Sequence, residues 1–195
     1  MLSDKKNIGL YFGSFNPIHN GHLAIANYLL ENTGMDEVWF VVSPQSPFKK
    51  EDSLLEDDFR YSMDLLAIKG NDRMRASNIE FGLPKPSYTI NTLNILREKY
   101  PDVNFSLILG ADNLEYFNKW KNYQEILANY HIYVYPRSGS EGGTLSNHSS
   151  ITWVNAPLLD ISSTDIREMI KKGTDVSPFL SEKVLKYIAK MGFYK

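Results

Sequence analysis

The sequence predicts an α/β domain built on a doubly wound parallel sheet with helices on both faces. Three observations carry that expectation. Short apolar runs alternate with amphipathic segments along the chain. Several of those runs are apolar at consecutive positions, as strands covered on both faces require. A length of 195 residues suits a single domain, residues 1–195, with a core of its own.

Strands are expected at Ile8–Phe12, Val38–Val42, Met74–Ile79, Phe105–Leu109, Ile132–Tyr135 and Ile151–Val154. Helical spacing fills the gaps. Leu23, Ala26 and Leu30 share one face, as do Phe59, Met63 and Leu66, and then Thr89, Leu93, Leu96 and Tyr100. Val184, Leu185, Ile188 and Met191 mark a last helix. Such alternation builds βαβ units. Ligands of these sheets sit beyond the carboxyl ends of the strands. A site is therefore expected in the loops Gly13–Asn20, Ser43–Asp52, Gly110–Asp112, Pro136–Ser150 and Asn155–Ser163. Within them Ser138–Ser150, rich in Gly and Ser, is expected to be the most mobile.

Composition narrows the chemistry. With no cysteine, disulfides, thiolate metal sites and cysteine nucleophiles drop out together. A hydrophobic share of 43% and an aromatic share of 13% argue against disorder. The formal net charge is −2, which gives no whole-chain reason to expect nucleic acid or a membrane surface as partner. No run approaches the ~18 apolar residues of a membrane span. The N-terminus lacks a signal-peptide pattern, so a cytoplasmic location is expected. Anions, if handled, must be handled locally.

After the first strand comes Gly13-Ser14-Phe15-Asn16-Pro17-Ile18-His19-Asn20-Gly21-His22. Gly13, without a side chain, lets a ligand approach the backbone. Pro17 stiffens the turn. Gly21 lies near a helix start, where open N–H groups and the dipole favour phosphate. His19 and His22, three apart, can face the same side of a first turn. They could also serve as polar loop residues, caps or metal ligands. Zinc is disfavoured, since His131 starts a strand and His148 lies in the Gly/Ser stretch. The turn lacks the Lys-Ser/Thr ending of a P-loop.

Nearer the C-terminus stands Ile161-Ser162-Ser163-Thr164-Asp165-Ile166-Arg167. Ser and Thr here suit helix caps, and Asp suits a first turn. The same hydroxyls and N–H groups could hold phosphate oxygens beside Arg167.

GSFNPIHNGH resembles the G-x-F-x-P-x-H-x-G-H signature of the nucleotidylyltransferase superfamily, and ISSTDIR its I-S-S-T-x-I-R element. The resemblance implies the Rossmann-like nucleotidylyltransferase fold. By it, His19 and His22 bind ATP phosphates and stabilise the transferring α-phosphate, with Arg167 neutralising charge. Gly13, Ser14, Phe15, Gly21, Ile161, Ser162, Ser163 and Thr164 are implied as ATP-binding. Gln45–Lys50 resembles the P-P-H-K loop of the nicotinate-nucleotide adenylyltransferases, with Phe48 in place of His, and carries over Lys49. Ser87-Tyr88-Thr89, with Ser87 as expected N-cap, resembles their S-Y-T-x-D-T-L element. Asn91 stands where that element has Asp. Gly110 and Asp112, followed by Trp120, resemble the G-x-D…W element, implying adenosine contacts for the first two and a nicotinate-pocket role for Trp120. Arg137 matches an arginine near the mononucleotide. The resemblance thus implies a transferase taking ATP and nicotinate mononucleotide, with Mg²⁺ accompanying ATP and no protein metal ligand named. A homo-oligomer is compatible with it. Sister adenylyltransferases acting on nicotinamide mononucleotide or phosphopantetheine, and a non-catalytic nucleotide-binding protein, are the alternatives.

Overall fold

The structure is a computed structural model that describes residues 5–45, 54–157 and 161–195. All six expected strands form: β1 (Lys6–Gly13), β2 (Glu37–Val42), β3 (Met74–Ser77), β4 (Val103–Gly110), β5 (His131–Tyr135) and β6 (Ile151–Trp153). They make one sheet in the order β3-β2-β1-β4-β5-β6, and every pairing is parallel. β3 stops at Ser77, two residues before the expected end. There the Ser77 hydroxyl accepts a hydrogen bond from the Ile79 N–H at 3.4 Å, a local turn that competes with the ladder.

The helices are α1 (Asn20–Asn32), α2 (Asp57–Ile68), α3 (Thr89–Lys99), α4 (Ala111–Glu115), α5 (Tyr123–Asn129), α6 (Ser163–Lys171) and α7 (Glu182–Met191). Neighbouring strand residues point to opposite faces, so consecutive apolar positions feed two cores. On one face Tyr11, Phe40 and Ile108 pack with Ile25 and Leu29 of α1, Met63 of α2, Ile166 of α6 and Val184 of α7. On the other, Leu10, Val41 and Leu107 pack with Leu93 of α3, Leu114 of α4 and Ile126 of α5. Each fully buried aliphatic side chain contributes roughly 1.5–3 kcal/mol relative to exposure.

The chain moves outward from β1 through β2 to β3, then returns to lay β4 on the other side of β1. The switch in strand order falls between β1 and β4, whose carboxyl ends are Gly13 and Gly110. The loop expected at Gly110–Asp112 does not form: β4 runs to Gly110 and Ala111 opens α4 directly. α4 and α5 were not expected, being too short to show helical periodicity.

Ser138–Ser150 is packed rather than loose. The Ser140 hydroxyl and the Glu141 N–H donate to Glu115 Oε1 of α4 at 2.7 and 3.2 Å. Trp153 Nε1 donates to the Ser146 carbonyl at 3.0 Å. The stretch also holds a 3-10 turn at Gly143–Leu145. Among the described residues no helix is long and apolar enough to cross a membrane.

Candidate active site

A cleft of about 990 Å³ opens over the carboxyl ends of β1 and β4. Its wall includes Gly13, Ser14, Phe15, His19 and His22 from the first turn. Asp112, Trp120 and Arg137 face it from the β4 and β5 side, and Ser87, Tyr88 and Thr89 from α3. Ser162, Ser163, Thr164 and Arg167 close it from α6.

The first turn is built by its own side chains. Phe15 has φ 43°, the left-handed region that side chains seldom adopt. Its ring, 2% exposed, lies over Gly13. A Cβ at Gly13 would come within 2.7 Å of that ring. The sequence reading gave Gly13 to a ligand's approach; the space is taken by Phe15. The same ring meets His22 edge-on, with centroids 5.1 Å apart, and so props the second histidine from below.

His19 is the N-cap of α1, and His22 is its third helical residue. Nδ1 of His19 accepts from the Gly21 N–H at 3.1 Å. Nδ1 of His22 accepts from the His19 N–H at 3.2 Å. This is a capping box made of two histidines. With each Nδ1 accepting, a neutral ring carries its proton on Nε2. A Cβ at Gly21 would lie 2.9 Å from the His19 ring, so this glycine too makes room for a neighbour. Nε2 of His19 is buried and has no hydrogen-bond partner among the described residues. Burial first, and Arg137 second, lower the His19 pKa to about 4 against an opposing pull from Asp165. At neutral pH His19 is an uncharged donor left without an acceptor.

The second motif docks on the first. The Ser163 hydroxyl donates to the Pro17 carbonyl at 2.9 Å. Arg167 Nη1 donates to the Asn16 carbonyl, also at 2.9 Å, and Nη2 reaches the Thr164 hydroxyl at 3.3 Å. Ser162 caps α6, its hydroxyl and N–H both bound to the Asp165 carboxylate. Those bonds hold the Asp165 pKa below the usual carboxylate range. The hydroxyls of Ser162 and Ser163, expected to hold phosphate, are thus committed to protein partners. The open N–H groups of the first turn of α6 and the Arg167 side chain remain for an anion.

On the β4 side, a Cβ at Gly110 would collide with the Asp112 carboxylate. Arg137 stacks over the Tyr135 ring at 5.4 Å, and its Nε lies 3.9 Å from Asp112. Below it the Tyr11 hydroxyl donates to that of Tyr135 at 2.9 Å. Ser87 is not the cap of α3: Tyr88 holds that position, with no side-chain bond. The Ser87 side chain is instead buried at the cleft wall, beside the Glu80 carboxylate. Trp120 packs on Phe117, centroids 4.9 Å apart. Lys49 lies outside the described residues, as do Phe48 and Lys50.

Three contributors were not read from the sequence. Arg60 of α2 is fully buried and donates to the carbonyls of Ser14, Ser43, Pro44 and Leu55 and to Asp57. It thereby ties the turn after β1 to the turn after β2. Glu80, 1% exposed, accepts from the Thr92 hydroxyl at 2.6 Å, and burial raises its pKa. Tyr11 meets the His22 ring edge-on, with centroids 5.8 Å apart. An arginine on an amphipathic helix carries no mark of burial, so periodicity alone could not have found Arg60.

The comparisons agree with this geometry. Residues 10–169 match the model of the cytidylyltransferase-like family. A protein of Cytophaga hutchinsonii is 50% identical over 96% of this chain and 97% of its own. One from Christiangramia forsetii is 49% identical over 97% of this chain and 99% of its own. Both bear the name "Probable nicotinate-nucleotide adenylyltransferase". This chain belongs to the nicotinate-nucleotide adenylyltransferases of the cytidylyltransferase-like family. A Plasmodium falciparum nicotinic acid mononucleotide adenylyltransferase complexed with NaAD superposes with a TM-score of 0.82, 22% identity and 97% of each chain covered. That likeness places this nicotinate-nucleotide adenylyltransferase relative in the same Rossmann-like fold. The family match encloses both turns of the cleft, from before Gly13 to beyond Arg167.

Proposed function

We propose that this chain joins ATP and nicotinate mononucleotide to give nicotinate adenine dinucleotide and pyrophosphate, a step of NAD biosynthesis. The observation that carries the reading is the unpartnered Nε2 of His19, a buried neutral donor beside His22 and facing the α6 start. It wants an anionic acceptor and has none among the described residues.

ATP lies across the strand ends, its phosphates between the first turn and the N-terminus of α6. The 5′-phosphate of the mononucleotide attacks the ATP α-phosphorus in line as pyrophosphate leaves. That nucleophile has a second pKa of about 6, so it is mostly dianionic at neutral pH and needs no general base. The chain supplies positioning and charge stabilisation. His19 and His22 donate from Nε2 to the oxygens that gain charge, and Arg167 with the α6 N–H groups holds the departing end. Trp120, Tyr88 and Arg137 line the acceptor's side of the cleft.

Among the described residues no three His, Cys, Asp or Glu side chains gather to hold a metal ion. The cleft's donor set is cationic and N–H rich, which fits a magnesium ion carried by the triphosphate rather than by the protein. Bound so, it would neutralise part of the triphosphate charge. Pyrophosphate release with ATP and Mg²⁺ tests the reading. Nicotinate mononucleotide is expected to be the preferred acceptor; a preference for its amide or for phosphopantetheine overturns the acceptor, and no release with any overturns the transferase.

A further inference from the structure

Asn16 stands at the centre of the first turn and is 1% exposed. Its backbone carbonyl is held by Arg167. Its side-chain oxygen accepts from the Leu55 N–H at 3.4 Å and from the Tyr194 hydroxyl at 2.8 Å. Tyr194 lies 178 residues away in sequence, beyond α7. The path that brings it there is specific. Gly192, at φ 69°, caps α7 in the left-handed region, and Phe193 then packs on Phe59 of α2 with centroids 5.0 Å apart. Tyr194 itself has φ 65°, a conformation that side chains rarely adopt. Such a backbone persists where its surroundings over-determine it. Here the surroundings are the aromatic packing of Phe193 and the hydrogen bond to Asn16.

We propose that Tyr194 is a positioning residue for the histidine turn, acting through its hydrogen bond to Asn16. Asn16 follows Phe15, the left-handed residue whose ring props His22, and precedes Pro17, which Ser163 grips. Fixing the Asn16 side chain fixes the segment on which both histidines depend. Tyr194 touches neither histidine and does not line the cleft, so its effect is indirect. Its role in turnover rests on the reading given above; its effect on the histidine geometry does not.

The test uses Tyr194→Phe, which keeps the ring and removes the hydroxyl. Imidazole signals of the full-length protein are followed by nitrogen NMR, and turnover is measured with ATP, Mg²⁺ and nicotinate mononucleotide. The variant is expected to shift the His19 and His22 signals and to leave those of His131 and His148 in place. It is expected to lower kcat/KM for ATP by about fivefold to tenfold, the worth of one hydrogen bond. In an Asn16→Ala background the same change should have no further effect, as groups acting through one bond do not add. Unmoved histidine signals, or equal losses in both backgrounds, would overturn the proposal. If wild-type protein releases no pyrophosphate while the signals still shift, the transferase reading falls and the positioning role stands.

Discussion

The His19 N–H donates to Nδ1 of His22 at 3.2 Å, and the two rings lie with centroids 3.7 Å apart. One pair of side chains therefore closes the end of α1 and lines the cleft. Capping falls to Nδ1 and the proposed donation to Nε2 of the same two rings, so a substitution can separate them.

Gln at the third helical position can also bond back to the N-cap N–H. His22→Gln should therefore keep α1 intact and lose the donor. Removing one donor to developing charge costs roughly 2.7–4 kcal/mol, about a hundredfold or more in kcat. His22→Ala should lose the same turnover and some thermal stability besides. Turnover and melting curves of the two variants check this; near-native kcat in the Gln variant would remove His22 from the chemistry.

His19 makes stability depend on pH. Its folded pKa is about 4, below the ordinary 6.5, chiefly through burial. Between those values the unfolded chain binds more protons, so stability is full above about pH 6.5 and is lost as pH falls towards 4. The loss is of the order of 3 kcal/mol. Burial raises the pKa of Glu80 and of Asp64, and raised carboxylates work in the opposite direction, so the comparison must be with a variant. His19→Asn keeps a good cap and should flatten the pH dependence in urea unfolding between pH 7 and pH 5. Parallel curves for wild type and variant would contradict the assignment.

Gly21→Ala separates backbone from side-chain effects. Alanine favours the helix by about 1 kcal/mol, yet its Cβ would sit 2.9 Å from the His19 ring. A catalytic group displaced by about 1 Å can cost a hundredfold. The expected outcome is a folded, active-site-impaired protein, read by circular dichroism and kcat together. A fully active variant would show that His19 has room to move.

Arg60→Met should be strongly destabilising. It strips the donor from four carbonyls and from Asp57, and it removes the fully buried guanidinium that ties them together. Breaking such a buried arrangement costs roughly 3–5 kcal/mol, which lowers the melting temperature by roughly 6–20 °C for a chain this size. Arg60→Lys should recover little, because an ammonium cannot span four carbonyls as the planar fork does. Scanning calorimetry distinguishes the pair.

The sheet was legible because its strands are buried on both faces. Val38–Val42 reads as a continuous apolar run and Phe105–Leu109 as one broken only at Ser106, and the structure buries nearly every position of them. Both motifs were legible as strings of residue types. What the string concealed was division of labour. Ser162 and Ser163 read as caps on residue type alone and as phosphate ligands by resemblance, and nothing in the string shows their partners Asp165 and Pro17. Gly13 reads as an opening for a ligand, and the structure shows that it also makes room for the Phe15 ring. Arg60, Glu80 and Asn16 were invisible because burial of a polar residue is a property of tertiary packing.

The grip of α6 on the first turn has a consequence for the growing chain. The bonds from Ser163 to Pro17 and from Arg167 to Asn16 span 146 and 151 residues. Both halves of the nucleotide cradle come together only when residues up to Arg167 have left the ribosome. Shorter nascent fragments lack part of α6 and cannot assemble the cradle. Competence to bind ATP therefore arrives late in synthesis, and a binding signal from the emerging chain would time the docking of α6.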